Sequence, residues 1–375
     1  MKSLETKSSA KTWNAVIYFE NGQVFEGRGF GAQKSSGGEI VFNTGMTGYQ
    51  EIFTDPSYCR QIVLMTYPHI GSTGSNLEDI ESDGIFLSGV VAREFVVEPS
   101  NWRSTKTLND YLVDAGVPGI FEVDTREMTR IIRSEGSQRA VIFPVSESEG
   151  DLAAHGKKLL ESVSSMEGQE LVSEVSCREP YQFEGGSGEL GEIIVYDFGV
   201  KTNILRLLRD QGFKVSVVPY NYPAEKVLAS KPAAVFLTNG PGDPALVDGA
   251  VEQVTQILGK IPLMAICMGH QIVARALGAS TYKMKFGHHG VNHPVKDLES
   301  GRILITSQNH GFAVKADTLK GNGIRVSHVS LNDQTLEGFE SPELRVLSVQ
   351  FHPEAKPGPS DAAYLFEKFV RGYVK

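Results

Sequence analysis

The stretch PLMAICMGHQIVARALG (residues 262–278) decides the fold of the second half of this chain. It begins as a short apolar run typical of a buried strand and continues with helical spacing, so a strand passes directly into a helix. The same alternation precedes it, with predicted strands over 192–199, 214–220 and 233–238 and predicted helices over 203–212, 223–230 and 245–260. Such alternation predicts an α/β domain, a doubly wound and mostly parallel sheet with ligands at the carboxyl ends of its strands. Beyond residue 280 the pattern predicts short strands, glycine turns and a closing helix over 361–374.

The clearest break in the 375 residues is YQFEGGSGELGE (residues 181–192), whose four glycines and several acids are typical of a linker. The length allows two domains. We predict a disordered tail over 1–12, an N-terminal domain over 13–150, a connecting segment over 151–191 and a C-terminal domain over 192–375.

The N-terminal domain has a different pattern. Residues 15–31 have Asn21-Gly22 between two strand-like runs, which predicts a hairpin with its turn at these two residues. Residues 81–98 are rich in strand formers, whereas 107–116 and 124–136 have helical spacing. This mixture predicts an α+β or barrel-like domain, and the pattern alone assigns it no activity.

Composition excludes several classes of function. A hydrophobic fraction of 41% and a charged fraction of 22% are typical of a soluble globular protein. The net charge of −9 offers no electrostatic footprint for nucleic acid or anionic lipid, and no apolar run is long enough for a membrane span. The start of the sequence is polar, without the apolar core of a signal peptide, so a cytoplasmic protein is expected. The three cysteines lie far apart, which gives neither a disulfide framework nor a Cys-x-x-Cys metal pair.

One of these cysteines, Cys267, lies where the predicted strand ends and the helix begins. Small residues, Ala265 and Gly269, stand two positions to either side, as in a nucleophile elbow. At a helix N-terminus the thiolate is favoured, and the amide of Met268 is placed to donate to an oxyanion. The alternative is a buried structural cysteine.

A glycine loop, NGPGDP (residues 239–244), follows a neighbouring strand. Gly240 and Gly242 allow main-chain N–H groups to face a ligand without a Cβ in the way. An ordinary turn is the alternative reading. A phosphate cradle is the competing functional idea, but GxxxxGK[ST] does not occur in the sequence.

The stretch SVQFHPEAKPG (residues 348–358) places His352 and Glu354 two residues apart at the end of an apolar strand. In an extended chain such residues share one face, roughly 7 Å apart. A carboxylate beside an imidazole fixes its tautomer and stabilises its protonated form. The alternative is a surface His-Pro-Glu turn.

Further histidines suggest a metal site, but weakly. His288, His289 and His293 have no cysteine or close carboxylate in sequence to complete a ligand set, and their spacing is not a helical i, i+4 pair. We expect no metal and favour structural roles or partner contacts for this segment. His310 either positions substrate or packs, and the sequence does not decide between them.

Three ordered motifs, GPGDP, ICMGHQ and QFHPE, resemble those of the class I (triad) glutamine amidotransferases. Further segments resemble the small, glutamine-hydrolysing subunit of carbamoyl phosphate synthetases. They are DFGVKTNILR (197–206), KMKFGHHGVNHPV (283–295), SQNHGFAV (307–314), FNTGMTGYQEIFTDPSY (42–58), TYPHIG (66–71) and GVVAREF (89–95). The likeness covers roughly residues 13–373 and implies a flavodoxin-like amidotransferase domain.

The resemblance implies a hydrolytic mechanism. Cys267 attacks the side-chain amide of glutamine, His352 moves the proton to the leaving ammonia, Glu354 orients His352, and water hydrolyses the glutamyl thioester. The amides of Met268 and Gly240 form the oxyanion hole. The residues implied around glutamine are Gly45, Gly240, Gly242, Met268, Gln271, Asn309, Gly311 and Phe312.

The resemblance also implies a partner. Ammonia passes to a large subunit that makes carbamoyl phosphate from bicarbonate and ATP, for arginine or pyrimidine biosynthesis. ATP and magnesium are expected on the large subunit and no cofactor on this chain. Two positions depart from the family pattern: Gly45, where many relatives have serine, and Ala265, where glycine is usual. The rival hypotheses are a cysteine hydrolase that acts without a partner and a non-catalytic scaffold.

Overall fold

A computed structural model of the protein describes residues 13–321 and 323–374, so the predicted tail over 1–12 lies outside the described residues. The chain divides into two compact units. The first takes its described residues from Met1–Gln50, Arg60–Ile80 and Leu87–Ser165. The second consists of Glu51–Cys59, Glu81–Phe86 and Met166–Lys375. The last change of unit, between Ser165 and Met166, lies inside the segment that the sequence marks as connecting.

The first unit contains a closed barrel. The strands of this unit are β1 Trp13–Phe19, β2 Val24–Gly31, β3 Ser36–Asn43, β4 Gln61–Met65, β5 His69–Ile70, β6 Gly89–Val91, β7 Glu94–Phe95, β8 Pro118–Phe121 and β9 Gln138–Pro144. The barrel closes in the order β1-β2-β8-β6-β4-β3-β9, while β5 pairs with β7. The barrel-like prediction is confirmed.

Helices accompany the barrel strands. They are α1 Tyr49–Phe53, α2 Leu108–Asp114, α3 Thr125–Glu135 and α4 Leu152–Leu160, with a 3₁₀ turn at Val145–Glu147. The sequence places β1 and β2 around the Asn21-Gly22 turn, where Gly22 has φ 91°. Both faces of β1 are buried. On one face, Val16 and Tyr18 pack against Leu160 at the end of α4.

The second unit contains a ten-stranded sheet in the order β10-β12-β11-β13-β14-β19-β18-β17-β15-β16. Its strands are β10 Tyr181–Phe183, β11 Glu192–Asp197, β12 Lys214–Pro219, β13 Ala234–Leu237, β14 Leu263–Ile266, β15 Thr281–Asp297, β16 Ile303–Val314, β17 Arg325–Ser330, β18 Leu336–Ser341 and β19 Val346–Val349. Its helices are α5 Val172–Val175, α6 Thr202–Asp210, α7 Ala224–Ser230, α8 Asp248–Ile257, α9 Met268–Ala276 and α10 Tyr364–Phe369. Short 3₁₀ turns lie at Pro56–Tyr58, Pro244–Leu246 and Ala316–Thr318, and a π-helical turn at Val370–Val374 closes the described chain.

The predicted parallel core is present as β12, β11, β13, β14 and β19, which pair in parallel. Both faces of this core are covered, as the sequence indicates. Ile193 and Val195 of β11 pack with α6 and α10, whereas Ile194 and Tyr196 pack with α7, α8 and α9. In the described part of the chain, no helix has both the length and the apolar character to cross a membrane.

Five antiparallel strands extend this core, so the whole sheet is mixed. The prediction of short strands beyond residue 280 is wrong for β15 and β16, which run for 17 and 12 residues. Their pairing shifts register between Lys283 and His288 and again between Gly290 and His293. Such bulges break the two-residue alternation by which a long strand is recognised.

Candidate active site

Cys267 connects β14 to α9 in a strained turn. Its backbone has φ 53° and ψ −106°, a combination that non-glycine residues rarely adopt and that points to function. The thiol is buried, with the residue 2% exposed. Gly269 is required by space, because a Cβ there would lie 2.4 Å from the main-chain oxygen of Leu237. Ala265 lies one residue inside β14 with ordinary strand pairing, so its methyl group does not disturb the turn.

His352 and Glu354 follow β19 and are both buried. The imidazole Nδ1 lies 2.6 Å from Glu354 Oε1. Burial opposes the charged imidazole, but Glu354 and Cys267 outweigh it and raise the pKa of His352 to about 10. The other ring nitrogen, Nε2, makes no hydrogen bond in the part of the chain that the structure describes. It is therefore available for proton transfer to and from the thiol.

Lys201 is a functional residue that sequence reasoning missed. This fully buried side chain places Nζ 2.9 Å from Glu354 Oε1 and 2.5 Å from the main-chain oxygen of Ala355. Burial alone would raise the pKa of Glu354, yet Lys201 and His352 lower it to about 2. Asn203 supports the same segment by donating to the main-chain oxygen of Glu354 at 2.6 Å. Both residues lie in the segment 197–206 that carries the family resemblance, which is the signal that could have marked them.

The candidate oxyanion donors lie at one edge of the parallel core. Leu237 of β13 pairs with Ala265 of β14, so the loop after β13 and the elbow after β14 are neighbours. Met268 is the first residue of α9, where main-chain N–H groups have no partner within the helix. A Cβ at Gly240 would lie 2.2 Å from the oxygen of Phe198, so this close approach requires glycine.

Asp55 and Asn239 hold the surrounding loops, a role that the sequence did not indicate. Asn239 Nδ2 donates to Ser57 Oγ at 2.9 Å and to the main-chain oxygen of Gly199 at 2.8 Å. Asp55 accepts hydrogen bonds from the side-chain amides of Asn239 and Asn309 at 3.2 and 2.9 Å. One carboxylate thus joins the glycine loop to strand β16.

The predicted glutamine-binding residues are partly brought together. The main-chain oxygen of Asn309 lies 3.5 Å from Cys267 Sγ. Gln271 donates to the main-chain oxygen of Phe312 at 2.8 Å, which ties α9 to the strand that carries Gly311. Of the remaining predicted residues, Gly242 lies with φ 89° in the loop after β13, and Gly45 belongs to the first unit, where its N–H donates to the Asn43 side chain at 2.7 Å.

The histidine segment meets carboxylates that are distant in sequence. His288 lies 2.8 Å from Asp333 through Nε2 and 3.2 Å from Glu337 through Nδ1. Burial opposes its charge, but these two carboxylates raise the pKa of His288 to about 9. His288, His310 and Glu337 present ligand atoms within 4.8 Å of one another, so they are the set of described residues that could hold a cation. His289 and His293 are not part of it, and His289 instead contacts Asn309 Oδ1 at 3.0 Å.

The chain is similar to known proteins over nearly its whole length. The family model described as the CPSase domain of the carbamoyl-phosphate synthase small chain matches residues 17–142, and the model of class I glutamine amidotransferases matches residues 194–371. The carbamoyl phosphate synthase small chain of Neisseria meningitidis serogroup A is 47% identical, over 95% of this chain and 97% of its own length. The corresponding chain of Syntrophotalea carbinolica is 48% identical over 95% and 96%.

A plant relative is similar over nearly the same span. The chloroplastic carbamoyl phosphate synthase small chain of rice is 46% identical, over 96% of this chain and 82% of the relative. Identity of this extent over nearly the whole chain is sufficient to assign the chain to a protein family. The chain belongs to the carbamoyl phosphate synthase small chain family, the glutamine-hydrolysing subunit with a class I glutamine amidotransferase domain.

Proposed function

We propose that Cys267, His352 and Glu354 hydrolyse glutamine through a glutamyl thioester and that the ammonia passes to a carbamoyl phosphate synthase large chain. One observation carries the proposal. A strained cysteine at a helix N-terminus interacts with a buried imidazole whose Nδ1 is held at 2.6 Å by a carboxylate. That is the arrangement of an activated thiol nucleophile, its base and the group that orients the base.

The first half of the reaction forms the thioester. His352 Nε2 accepts the thiol proton, and the Sγ of Cys267 bonds to the side-chain carbonyl carbon of glutamine. The main-chain N–H groups of Met268 and Gly240 donate to the resulting oxyanion. His352 then returns the proton to the leaving nitrogen, the carbon–nitrogen bond breaks, and ammonia departs.

The second half regenerates the enzyme. His352 removes a proton from water, the oxygen attacks the thioester carbon, and Cys267 leaves with the proton as glutamate forms. The balance is one glutamine and one water consumed for one glutamate and one ammonia. Throughout, Lys201 keeps Glu354 anionic, so that Glu354 stabilises the imidazolium that forms twice.

Residues beyond this set are proposed to contact the glutamine. Gly242, Gln271, Asn309, Gly311 and Phe312 lie on the loop, helix and strand around Cys267. A contact from Gly45 is also proposed, with no side chain to supply it.

The large chain is proposed because of the chemistry of ammonia. Ammonia released into water near neutral pH is protonated and loses its nucleophilicity, so direct transfer preserves it. The large chain would use ATP, magnesium and bicarbonate, for which this chain has no phosphate-binding motif. Supply of arginine or pyrimidine synthesis and a cytoplasmic location remain predictions.

Glutamate release from glutamine tests the proposal, measured with the chain alone and with the large chain from the same source. We expect release that depends on Cys267, is abolished by Cys267→Ser and rises with the large chain. Cys177→Ser is the matched control, because burial and then Asp197 raise the pKa of this half-buried thiol to about 12. Equal release by Cys267→Ser and wild type would refute the mechanism. Release that no large chain alters would instead identify a hydrolase that acts alone.

A further inference from the structure

Helix α3 of the first unit exposes a row of arginines beside a concavity of about 280 Å³. Arg126, Arg130 and Arg133 line it, together with Thr66 and side chains at the start of the helix. Their spacing of four and then three residues puts all three guanidinium groups on one helix face. Like charges at these spacings repel one another, which opposes helix formation.

The opposite face of α3 is buried. Met128, Ile131 and Ile132 are at most 4% exposed and face the barrel strands β3 and β4. The arginine row therefore points away from the barrel, where it is free to meet another molecule.

These arginines differ from others in the chain. Arg103, Arg139 and Arg275 each contact a carboxylate, at 2.8 Å from Asp79, 2.5 Å from Glu20 and 2.8 Å from Asp248. Among the described residues, in contrast, Arg126 and Arg133 have no hydrogen-bond or ion-pair partner, and Arg130 contacts only Glu127, one turn earlier, at 3.2 Å. In a chain of net charge −9, carboxylates are in excess, yet none of the described ones neutralises Arg126 or Arg133.

The threonine hydroxyls around the concavity are not available as donors to a small phosphate ligand. Thr66 Oγ1 already donates to the main-chain oxygen of Asn43 at 3.1 Å, and Thr129 Oγ1 to that of Thr125 at 2.7 Å. Phosphate sites are usually built from converging main-chain N–H groups, whereas here the free donors are exposed guanidinium groups. Exposed arginine forks suit carboxylates that a partner protein brings and that association itself desolvates.

We infer that the arginine face of α3 is a docking surface for acidic side chains of the carbamoyl phosphate synthase large chain. The inference rests on the proposed transfer of ammonia to that chain. The reason for this assignment is charge complementarity. The small chain is acidic overall but leaves one basic row unpaired, and such a row is complementary to an acidic patch on a partner.

The test compares Arg126→Gln/Arg133→Gln with wild type in binding to the large chain from the same source, at low and high salt. We expect the double variant to bind at least about 10-fold more weakly at low salt and to lose much of the salt dependence. The matched control is Lys157→Gln/Lys158→Gln on α4 of the same unit, which removes two exposed positive charges and is expected to change affinity less than about 2-fold.

Two further measurements keep the result interpretable. Thermal unfolding checks that both variants are folded, and Arg126→Lys/Arg133→Lys, which keeps the charge without the fork, should bind with intermediate affinity. Equal binding by the Gln double variant and wild type overturns the inference. It is also overturned if inorganic phosphate binds wild type but not the Gln variant while both bind the large chain equally. Binding requires no turnover, so an absence of glutaminase activity in wild type would count against the proposed function alone.

Discussion

Two buried histidine–carboxylate groups in the second unit differ in one respect. His352 is bonded through Nδ1 to Glu354, and its Nε2 has no hydrogen-bond partner among the described residues. His288 is bonded through both nitrogens, to Asp333 and Glu337. Both imidazoles have raised pKa values because neighbouring carboxylates outweigh burial.

This difference separates the histidine proposed to be catalytic from one whose two ring nitrogens are both held by carboxylates. Both ring nitrogens of His288 are occupied by carboxylates of the protein, whereas the unbonded Nε2 of His352 can exchange a proton with a thiol or a substrate. A shifted pKa is therefore not sufficient to assign function to a buried histidine. The two histidines are distinguished by whether a ring nitrogen is unbonded and by which group lies next to that nitrogen.

The largest expected effect comes from removing each imidazole. His352→Asn should lower kcat for glutamate release by at least about 10³-fold, because no base then accepts the Cys267 proton. His288→Asn should change kcat much less and instead lower the free energy of unfolding by about 3 kcal/mol, since the buried carboxylate of Glu337 and the partly exposed one of Asp333 lose their partner. Steady-state kinetics and urea unfolding of both variants measure the contrast. Equal loss of kcat in the two variants would break the comparison.

Replacing the carboxylate beside His352 should lower kcat more than replacing the one beside His288. Glu354→Gln should lower kcat by about 10²-fold, because the amide neither stabilises the imidazolium nor balances Lys201. Glu337→Gln keeps a hydrogen-bonding group beside His288 and is expected to change kcat less than about 3-fold. The two variants have equal volume and equal loss of charge, so kinetics at saturating glutamine compares them directly.

Alkaline pH should affect the two groups alike. Each folded-state pKa is raised, to about 10 for His352 and about 9 for His288, above the ordinary value of 6.5. Their contribution to stability is therefore complete below about pH 6.5 and is lost as pH rises towards 9 and 10. With two protons retained by the folded state, unfolding free energy should fall by up to about 2.7 kcal/mol per pH unit above neutrality. Denaturant unfolding across this range should show half that slope in either Asn variant, and an unchanged slope would contradict the assignment.

Among the residues around His352, the smallest expected catalytic effect is that of Lys201→Met. Glu354 keeps His352 as a partner but loses the ammonium 2.9 Å away, which raises the pKa of Glu354 and loosens its position. We expect kcat/KM to fall by about 10-fold and the acidic limb of the pH–rate profile to move to higher pH. A variant that lost activity with no movement of the profile would have a structural cause instead.

Local sequence patterns were sufficient to predict part of the fold and part of the candidate site. The apolar strand before Cys267 and the helix after it are contiguous, so their periodicity predicts the parallel core and the turn at Cys267. The i, i+2 spacing of His352 and Glu354 placed them on one face, and the structure has them 2.6 Å apart. Long β15 was not recognised, because its bulges interrupt the alternation.

Other features depend on contacts between distant segments. Lys201 and Glu354 are 153 residues apart, and Asp55 and Asn309 are separated by 254. Segments Glu51–Cys59 and Glu81–Phe86 lie in the early part of the chain yet belong to the second unit. A linear division into domains cannot express this arrangement.

By itself the sequence determined the class of the second unit, the family and the position of the proposed nucleophile, because strand and helix periodicity and short motifs are local. Only the tertiary structure decided that His352, unlike His288, keeps an unbonded ring nitrogen, that Lys201 holds the carboxylate of Glu354, and which arginines are left unpaired. Those properties depend on burial and on partners from remote parts of the chain. Spacing along a sequence does not identify partners that lie in remote parts of the chain.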